Sequence, residues 1–512
     1  MGRIKILAAR LKQEFKGYNL NRLSKDLMSG VTVAAVALPL ALAFGVSSGA
    51  DAAAGLITAI IAGFIISAFS GASYQISGPT GAMTAVLIGI VSKYQLQGVF
   101  IVSLLAGVIL LICGILKLGK LVNLIPMPVV TGFTSGIAII IALGQVDNLF
   151  GTVSKGENAI SKLLSYGELG FSPNWAALLI GLTVIVIMAV FPKKWNAKVP
   201  SSLVAIVIAT IISVALKLDV AVVGEIPKTL LPQVRLDVTN IDFASLSNYI
   251  SPAITIAALG MIESLLCGAS ASRMKNESFD ADQELIAQGI GNIIIPFFGG
   301  VPATAAIART SVAIKSGCET RLTGIFHALF LLASMFLLGP VMSQLPLSAL
   351  AGVLIVTAWR MNEWHSIKYI FSKKFKSAMA QFLITMICTV IFDLTVAIVI
   401  GVVFAVVMFV ISAAKLEVSV DKGDADAVVK AWGNVFFANV QQLADSVSEF
   451  EECNNISLDM SGVLSIDFAG ANRIVELIAE CETKNVQLNL CGANAKVRKM
   501  FERTEVKETV FA

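Results

Sequence analysis

Two ionisable residues sit where an apolar membrane segment should have none, and they are the residues of this chain best suited to chemistry. Arg309 lies in Phe298-Gly-Gly-Val-Pro-Ala-Thr-Ala-Ala-Ile-Ala-Arg-Thr-Ser-Val-Ala-Ile314, and Glu263 lies in Met261-Ile-Glu-Ser-Leu-Leu-Cys-Gly268. A charge at the centre of a spanning helix costs about 2.5–3.5 kcal/mol on insertion scales, so it persists where it is paired or faces a polar cavity. As a fixed positive charge, Arg309 would hold an anion and repel a sodium ion. Glu263 is a candidate proton carrier, with burial and a neighbouring cation acting on it in opposite senses.

The segment carrying Arg309 has a counterpart in Ile76-Ser-Gly-Pro-Thr-Gly-Ala-Met-Thr-Ala-Val-Leu-Ile-Gly-Ile90, and both are broken at the front by Gly and Pro. Matched, interrupted hydrophobic segments in two halves of a membrane protein point to a transporter's binding site. If each begins near the bilayer midplane and the two enter from opposite sides, unpaired backbone N–H groups and two helix dipoles converge there. That arrangement favours an anion. The small residues of Gly78-Pro79-Thr80-Gly81-Ala82 would let a ligand approach the backbone. Phe44, in Ala37-Leu-Pro-Leu-Ala-Leu-Ala-Phe-Gly45, could wall the site.

These residues must be positioned by membrane helices. The chain has 512 residues, of which 56% are hydrophobic and 14% charged, with a mean hydropathy of +0.83. Ordinary soluble proteins carry about 25% charged residues. Residues 27 to 92 contain a single charge, Asp51. Residues 1–26 are basic without a compact apolar core or a small-residue cleavage site, which reads as a retained cytoplasmic arm. Lys and Arg beside a first span follow the positive-inside rule and do not call for nucleic acid. The seven cysteines and two histidines show neither a C-x-x-C pair nor metal-ligand spacing, so no metal, disulfide framework or cofactor is expected. His327 and His365 are isolated and read as structural.

Apolar runs predict fourteen spans, near 27–48, 52–70, 79–93, 96–117, 125–146, 174–191, 199–217, 252–271, 282–297, 303–315, 321–341, 345–362, 377–392 and 394–414. The third and tenth are too short for a full crossing at 1.5 Å per residue unless a short extended stretch precedes each. With the N-terminus in the cytoplasm, loops after even-numbered spans carry Lys117 and Lys120; Lys193, Lys194 and Lys198; Arg273 and Lys275; Lys315 and Arg321; and Lys368, Lys373, Lys374 and Lys376. The loops 147–173 and 218–251 fall outside, with balanced charge.

Internal repetition is faint but ordered. Pro79 matches Pro302 and Gly45 matches Gly268 at one separation, and Pro126 with Gly132 matches Pro346 with Gly352 at another. Two copies of seven spans, about 27–217 and 252–414, make an inverted repeat. The first register pairs Glu263 with Leu40, so one copy is ionisable there and the other apolar. Asp282 and Glu284 read as interfacial, and Gln283, Gln288 and Asn292 as interhelical hydrogen-bonding groups.

Beyond Lys415 the composition changes. Strands are expected at Ala427–Phe437, Asn455–Met460 and Val486–Leu490, alternating with helices at Ala438–Glu451, Phe468–Lys484 and Asn494–Arg503. This is a small α/β domain, placed in the cytoplasm by the even span count. No arrangement of nucleophile, base and orienting group appears, so an enzyme has no support.

Pro39-Leu-Ala-Leu-Ala-Phe-Gly45, Ser77-Gly-Pro-Thr-Gly81, Asp282-Gln-Glu-Leu-Ile-Ala-Gln-Gly-Ile-Gly-Asn292, the Pro302 to Arg309 stretch and the C-terminal α/β module together resemble the sulfate permease (SulP) family of anion transporters. The resemblance implies a uracil-permease-like fold of seven plus seven inverted repeats, with 14 transmembrane segments divided into core and gate domains. It also implies a homodimer in the plasma membrane and a cytoplasmic STAS domain over residues 416–512. By position, the family's anion site falls on Phe44, Thr80, Gly81, Ala82, Ile307, Ala308 and Arg309, and its acidic coupling residue on Glu263. Glu263 with Arg309 resembles the proton-coupled branch, whereas the similar bicarbonate transporters use Asp with sodium. Many members have Gln where this chain has Leu40.

The expected function is secondary active uptake of sulfate, bicarbonate or another small inorganic or carboxylate anion with a proton. A sodium-coupled bicarbonate symporter is the alternative within transport, and a membrane-anchored sensor signalling through its STAS domain is the alternative outside it. Asp459-Met-Ser-Gly-Val-Leu-Ser-Ile-Asp-Phe-Ala-Gly470 resembles the phospho-acceptor loop of anti-sigma-factor antagonists, with Ala469 in place of the modified serine. That points to docking with a cytoplasmic protein partner, not phosphorylation at that position.

Overall fold

The computed structural model describes residues 3–504 apart from 121–124, 156–158, 193–194, 196–198, 241–245, 393, 424–425 and 451–452. Lys193, Lys194 and Lys198 of the expected charge bias lie outside the described residues. The chain divides into two compact units, Met1–Val402 and Val403–Ala512.

The first unit is helical. Among its helices are α1 Arg3–Glu14, α2 Leu20–Ser47, α3 Ala52–Phe69, α4 Gly81–Ile115, α5 Met127–Gly144, α6 Trp175–Val190 and α7 Ser201–Ala215, followed by α8 Ser247–Lys275, α9 Ala281–Ile294, α10 Ile307–Lys315, α11 Leu322–Leu337, α12 Leu347–Met361 and α13 Lys376–Ile391. A last apolar helix, α14 Leu394–Ala413, crosses the division between units. By length and composition, five helices of the described residues are able to cross a membrane: α2, α3, α4, Met127–Phe150 and α8. The break expected between residues 93 and 96 is at Gln95, where φ of 58° interrupts α4.

Some helix pairings recur with the two halves exchanged. Gly132 of α5 packs on the Phe382 carbonyl of α13, and Gly352 of α12 packs on the Gly181 carbonyl of α6. Likewise Gly30 of α2 faces Phe326 and His327 of α11, while Gly260 of α8 faces Leu110 of α4. At Gly132 and Gly352 glycine brings two backbones together, the usual route to tight packing where lipid supplies no hydrophobic drive. Pro126 and Pro346 each stand immediately before a helix, as N-caps of α5 and α12.

The other sequence match needs correction. Pro79 follows a two-residue strand, β1 Ser77–Gly78, whereas Pro302 precedes its counterpart, β2 Thr304–Ala305. The following helices start at Gly81 and Ile307, so Thr80 corresponds to Ala306 as N-cap, and not to Ala303. Gly45 packs on Asp51 and Gly55, but Gly268 on the Phe279 ring, so this pair is not equivalent either. Insertions of a few residues shift the register without disturbing the helices, and matching single Pro or Gly residues cannot detect that.

The basic N-terminal stretch is docked. In α1, Arg3 pairs with Asp280 and Asp282, Arg10 donates to the Gly71 carbonyl at 3.0 Å, and Glu14 forms an ion pair of 2.8 Å with Arg321. Asp26 is fully buried and accepts from the Glu319 and Thr320 N–H groups and from the hydroxyls of Tyr18, Thr320 and Thr323. Burial, together with the Asp26 carboxylate, pushes the Tyr18 phenol up to about 12. Asp282 is tied to Arg3 and to the Gly119 N–H, and Glu284 is wholly buried, accepting from Ser70, Gly71 and Gln288. Local hydrogen bonds thus take the place of water around the Glu284 carboxylate.

The second unit carries a four-stranded sheet in the order β3-β4-β5-β6, with β3 Glu417–Lys422, β4 Asp426–Val435, β5 Asn455–Ile466 and β6 Gln487–Cys491. β3 is antiparallel to β4, and the remaining pairs are parallel. Helices α15 Val440–Ser448, α16 Phe468–Thr483 and α17 Ala495–Arg503 bury Leu443, Ile474 and Phe501 in one core with Leu458 and Leu490. The three expected strands and three helices are present. The extra edge strand β3 is largely exposed and charged, the composition that guards a sheet edge while hiding the strand signal.

Candidate functional site

β1 and β2 cross at the heart of the first unit. They pair antiparallel, Ser77 opposite Ala305 and Gly78 opposite Thr304, and the Ala306 N–H donates to the Ile76 carbonyl at 3.1 Å. Because the strands are antiparallel, α4 and α10 leave the crossing in opposite directions and their N-termini lie together. Neither N-cap, Thr80 nor Ala306, supplies a side-chain hydrogen bond to its helix. Each helix therefore begins with N–H groups that no capping side chain satisfies, the condition for anion binding at a helix start.

Two further helices clamp the crossing. From α8, the Ser264 hydroxyl lies 2.7 Å from that of Thr304 and accepts from the Ala305 N–H at 3.3 Å. Thr310 of α10 accepts from the Ile76 N–H at 3.1 Å and from the Cys267 thiol at 3.3 Å. From α9, Gln288 donates to the Ser77 hydroxyl at 2.9 Å, and Asn292 exchanges two hydrogen bonds with the Ala303 backbone. The amides do act between elements, as their position in an apolar segment suggested.

Arg309 is 2% exposed. Its Nη2 donates to the Pro79 carbonyl at 3.0 Å, while Nη1 is buried without a hydrogen-bond partner, and among the described residues Arg309 makes no ion pair. Glu263 acts on it electrostatically but without a direct ion pair, so the guanidinium keeps N–H donors unused. Here the cation from one half reaches over the backbone just ahead of the other half's helix, with one face unused. A Cβ on Gly78 would stand 2.5 Å from Nη1, so glycine is what leaves room for it. Glu263 accepts from the Thr80 hydroxyl at 2.8 Å, tying α8 to the first half-helix.

Phe44 is buried, with Cε1 3.3 Å from where a Cβ on Gly81 would lie, and its carbonyl faces the Thr84 hydroxyl at 3.5 Å. Phe44, Thr80, Gly81, Ala82, Glu263 and Arg309 are thus gathered at one crossing, all buried or nearly so. Ile307 and Ala308 differ, since they form the exposed opening turn of α10, with Ile307 47% exposed. Sequence reasoning missed Ile141 of α5, whose side chain fills the space beside Gly81, and nothing in its apolar context could have marked it. It also missed Ser264, although a second polar residue beside Glu263 was a usable signal. His327 is fully buried against Gly63.

A sequence profile described as the sulfate permease family matches residues 23–387, and one for the STAS domain matches 416–511. The chain belongs to the sulfate permease family. YvdB of Bacillus subtilis, named as a candidate sulfate transporter, is 34% identical over 97% of this chain and 96% of its own length. The bicarbonate transporter BicA of Picosynechococcus is 29% identical over 95% of this chain and 91% of its own. Among solved structures, the transmembrane domain of a cyanobacterial BicA superposes with a TM-score of 0.67 at 32% identity, covering 76% of this chain and 98% of that one. Murine solute carrier 26 family member A9, an anion transporter in the inward-facing state, shares the fold at 17% identity with a TM-score of 0.85, over 99% of this chain and 92% of its own. The family is thus one of membrane transporters, and the likeness extends through both units.

Proposed function

We propose that the chain carries out secondary active uptake of a small inorganic or carboxylate anion, sulfate or bicarbonate first, with a proton as co-substrate. The observation that carries this reading is the buried Nη1 of Arg309, without a hydrogen-bond partner, at the meeting of two uncapped helix N-termini. In a low-dielectric site, a fixed cation and convergent N–H groups stabilise an anion without requiring it to keep its water. The transporters of sulfate and of bicarbonate among its relatives support the same class of substrate.

The substrate site consists of Phe44, Thr80, Gly81, Ala82, Ile307, Ala308 and Arg309, with Glu263 as the proton carrier. Residues 27–414 form the transport domain, fourteen crossings in two inverted sets of seven, between a cytoplasmic arm at 1–26 and a cytoplasmic STAS domain at 416–512. Both termini face the cytoplasm of a plasma-membrane homodimer. The set containing the strand crossing moves past the set containing α5 and α12, giving alternating access. Phe437, Leu464 and Phe468, all about 70% exposed near the loop ahead of α16, suit a docking role for the STAS domain.

The test is uptake of labelled sulfate and bicarbonate into proteoliposomes under an imposed pH gradient, with chloride and dicarboxylates as competitors. Uptake should follow the pH gradient. Uptake driven by sodium alone would instead favour the bicarbonate-symporter reading, which the similarity to BicA recommends. Unimpaired uptake after removal of residues 416–512 would exclude the STAS domain as the functional output.

A further inference from the structure

A cavity of about 630 Å³ lies between the end of the 81–94 helix, the start of α8 and the last turns of α5 and α13. Its inner end reaches Ala85, Ile140 and Thr255. Ala85 is one helical turn beyond Gly81, roughly 6 Å at 1.5 Å per residue, and Ile140 adjoins Ile141, so the cavity opens close to the crossing. Its outer end carries Lys93, Tyr94, Lys162 and Asn248. Two of these come from the loops 147–173 and 218–251, which the charge bias puts outside the cell.

The lining includes two lysines and no carboxylate. Among the described residues neither lysine makes an ion pair, and Asp147, ahead of the Ala159–Leu169 helix that carries Lys162, is occupied by the Ser154 and Tyr166 hydroxyls. The Lys93 Nζ stands 5.1 Å over the Tyr94 ring, which packs 5.0 Å from the Tyr249 ring of α8. Lys93 is itself exposed, so its charge stands at the cavity's open rim, where this contact biases its position. A cleft lined by one sign of charge, with low-dielectric walls, focuses the field and raises the local concentration of counter-ions.

We propose that this cavity is the outer vestibule of the anion's path and that Lys93 and Lys162 form an anion-collecting site at its mouth, feeding the crossing. The inference rests on the transport reading above for the identity of the anion, but the site's charge can be measured without transport. Lys93 lies twelve residues along the helix from Gly81, roughly 18 Å. At that range, beyond a Debye length of about 8 Å at physiological ionic strength, the lysines govern arrival of the anion and not its final binding.

The experiment places a cysteine at Ser251 (Ser251→Cys) in the full-length protein in liposomes, with the parent chain as control, and measures its modification by anionic sulfonatoethyl and cationic trimethylammonium-ethyl methanethiosulfonates. With both lysines present, the anionic reagent should gain about 10-fold or more over the cationic one relative to Lys93→Gln/Lys162→Gln, at the lower end of the roughly 10- to 1,000-fold range of such fields. The gain should vanish near 1 M salt, where the Debye length is about 3 Å. Ser247→Cys provides a second reporter should Ser251→Cys fold poorly. A reagent ratio indifferent to both lysines overturns the inference, even if uptake is robust. A lysine-dependent ratio with no uptake under any gradient upholds the charged vestibule and overturns the transport reading. Where uptake is measurable, the double variant should raise KM several-fold at low salt with Vmax unchanged, and Lys93→Arg/Lys162→Arg should restore it. A fall in Vmax at constant KM would count against a collecting role.

Discussion

The two sides of the strand crossing have the same construction and different contents. Each is a short strand, an uncapped turn and a helix leaving the centre, but the first, 77–82, is buried and uncharged, while the second, 304–309, brings a guanidinium and opens to an exposed turn at Ile307 and Ala308. The repeated backbone supplies geometry, two N-termini on one point. The unrepeated side chains supply polarity, Arg309 from α10 and Glu263 from α8. The two halves thus converge on one candidate site, because Arg309 has the uncharged Met83 at the matching place on the first half-helix.

The comparison breaks most sharply at Arg309. Arg309→Ala should reduce anion uptake by about 100-fold or more, on the scale of removing a charged group whose partner stays buried, whereas Met83→Ala at the matching place on the first half-helix should leave most uptake intact. Equal losses would mean that the halves contribute alike. Gly78→Ala comes next, since the added methyl group meets Nη1 at 2.5 Å and displaces the guanidinium. It should approach the Arg309→Ala loss in uptake while the purified protein stays folded by thermal melting.

Glu263→Gln should keep a substantial part of exchange activity yet lose the response of net uptake to an imposed pH gradient. Persistence of that response would place the proton elsewhere. Gly81→Ala should be milder, because the obstacle at 2.2 Å is the end of the Ile141 side chain, with Phe44 next at 3.3 Å. Shortening that side chain in Gly81→Ala/Ile141→Ala should recover uptake, as expected for two changes in direct contact.

The smallest effect lies beyond the second half-helix. Lys25, donating at 2.8 Å, holds the Glu319 carboxyl below its usual range, with desolvation acting the other way. A depressed carboxylate stabilises the fold above its unfolded-state range, and that contribution is lost as pH falls through the folded value. Thermal stability of the parent should therefore drop slightly more between pH 6 and pH 3 than that of Glu319→Gln.

The sequence made much of this legible through composition. Apolar runs located the helices, including the break at residue 95, because hydrophobic length is what a bilayer requires of a helix. Interrupted segments and misplaced charges located the crossing, because Gly, Pro and an unaccompanied Arg are each costly in an ordinary span. Alternating periodicity located the sheet of the second unit, except at its charged edge. The register between repeats was not legible, since Pro79 and Pro302 serve opposite sides of their strands.

What the sequence determined by itself was a membrane protein of repeated halves, with an anion-suited charge in one of them. Only the tertiary structure decided that Arg309 forms no direct ion pair with Glu263, that each reaches into the first half, at Pro79 and Thr80, and that Ile141 closes the wall. Burial and polarity are written along a chain one residue at a time. Partnership between residues 183 and 230 positions apart depends on how helices cross in space, and local patterns do not encode it.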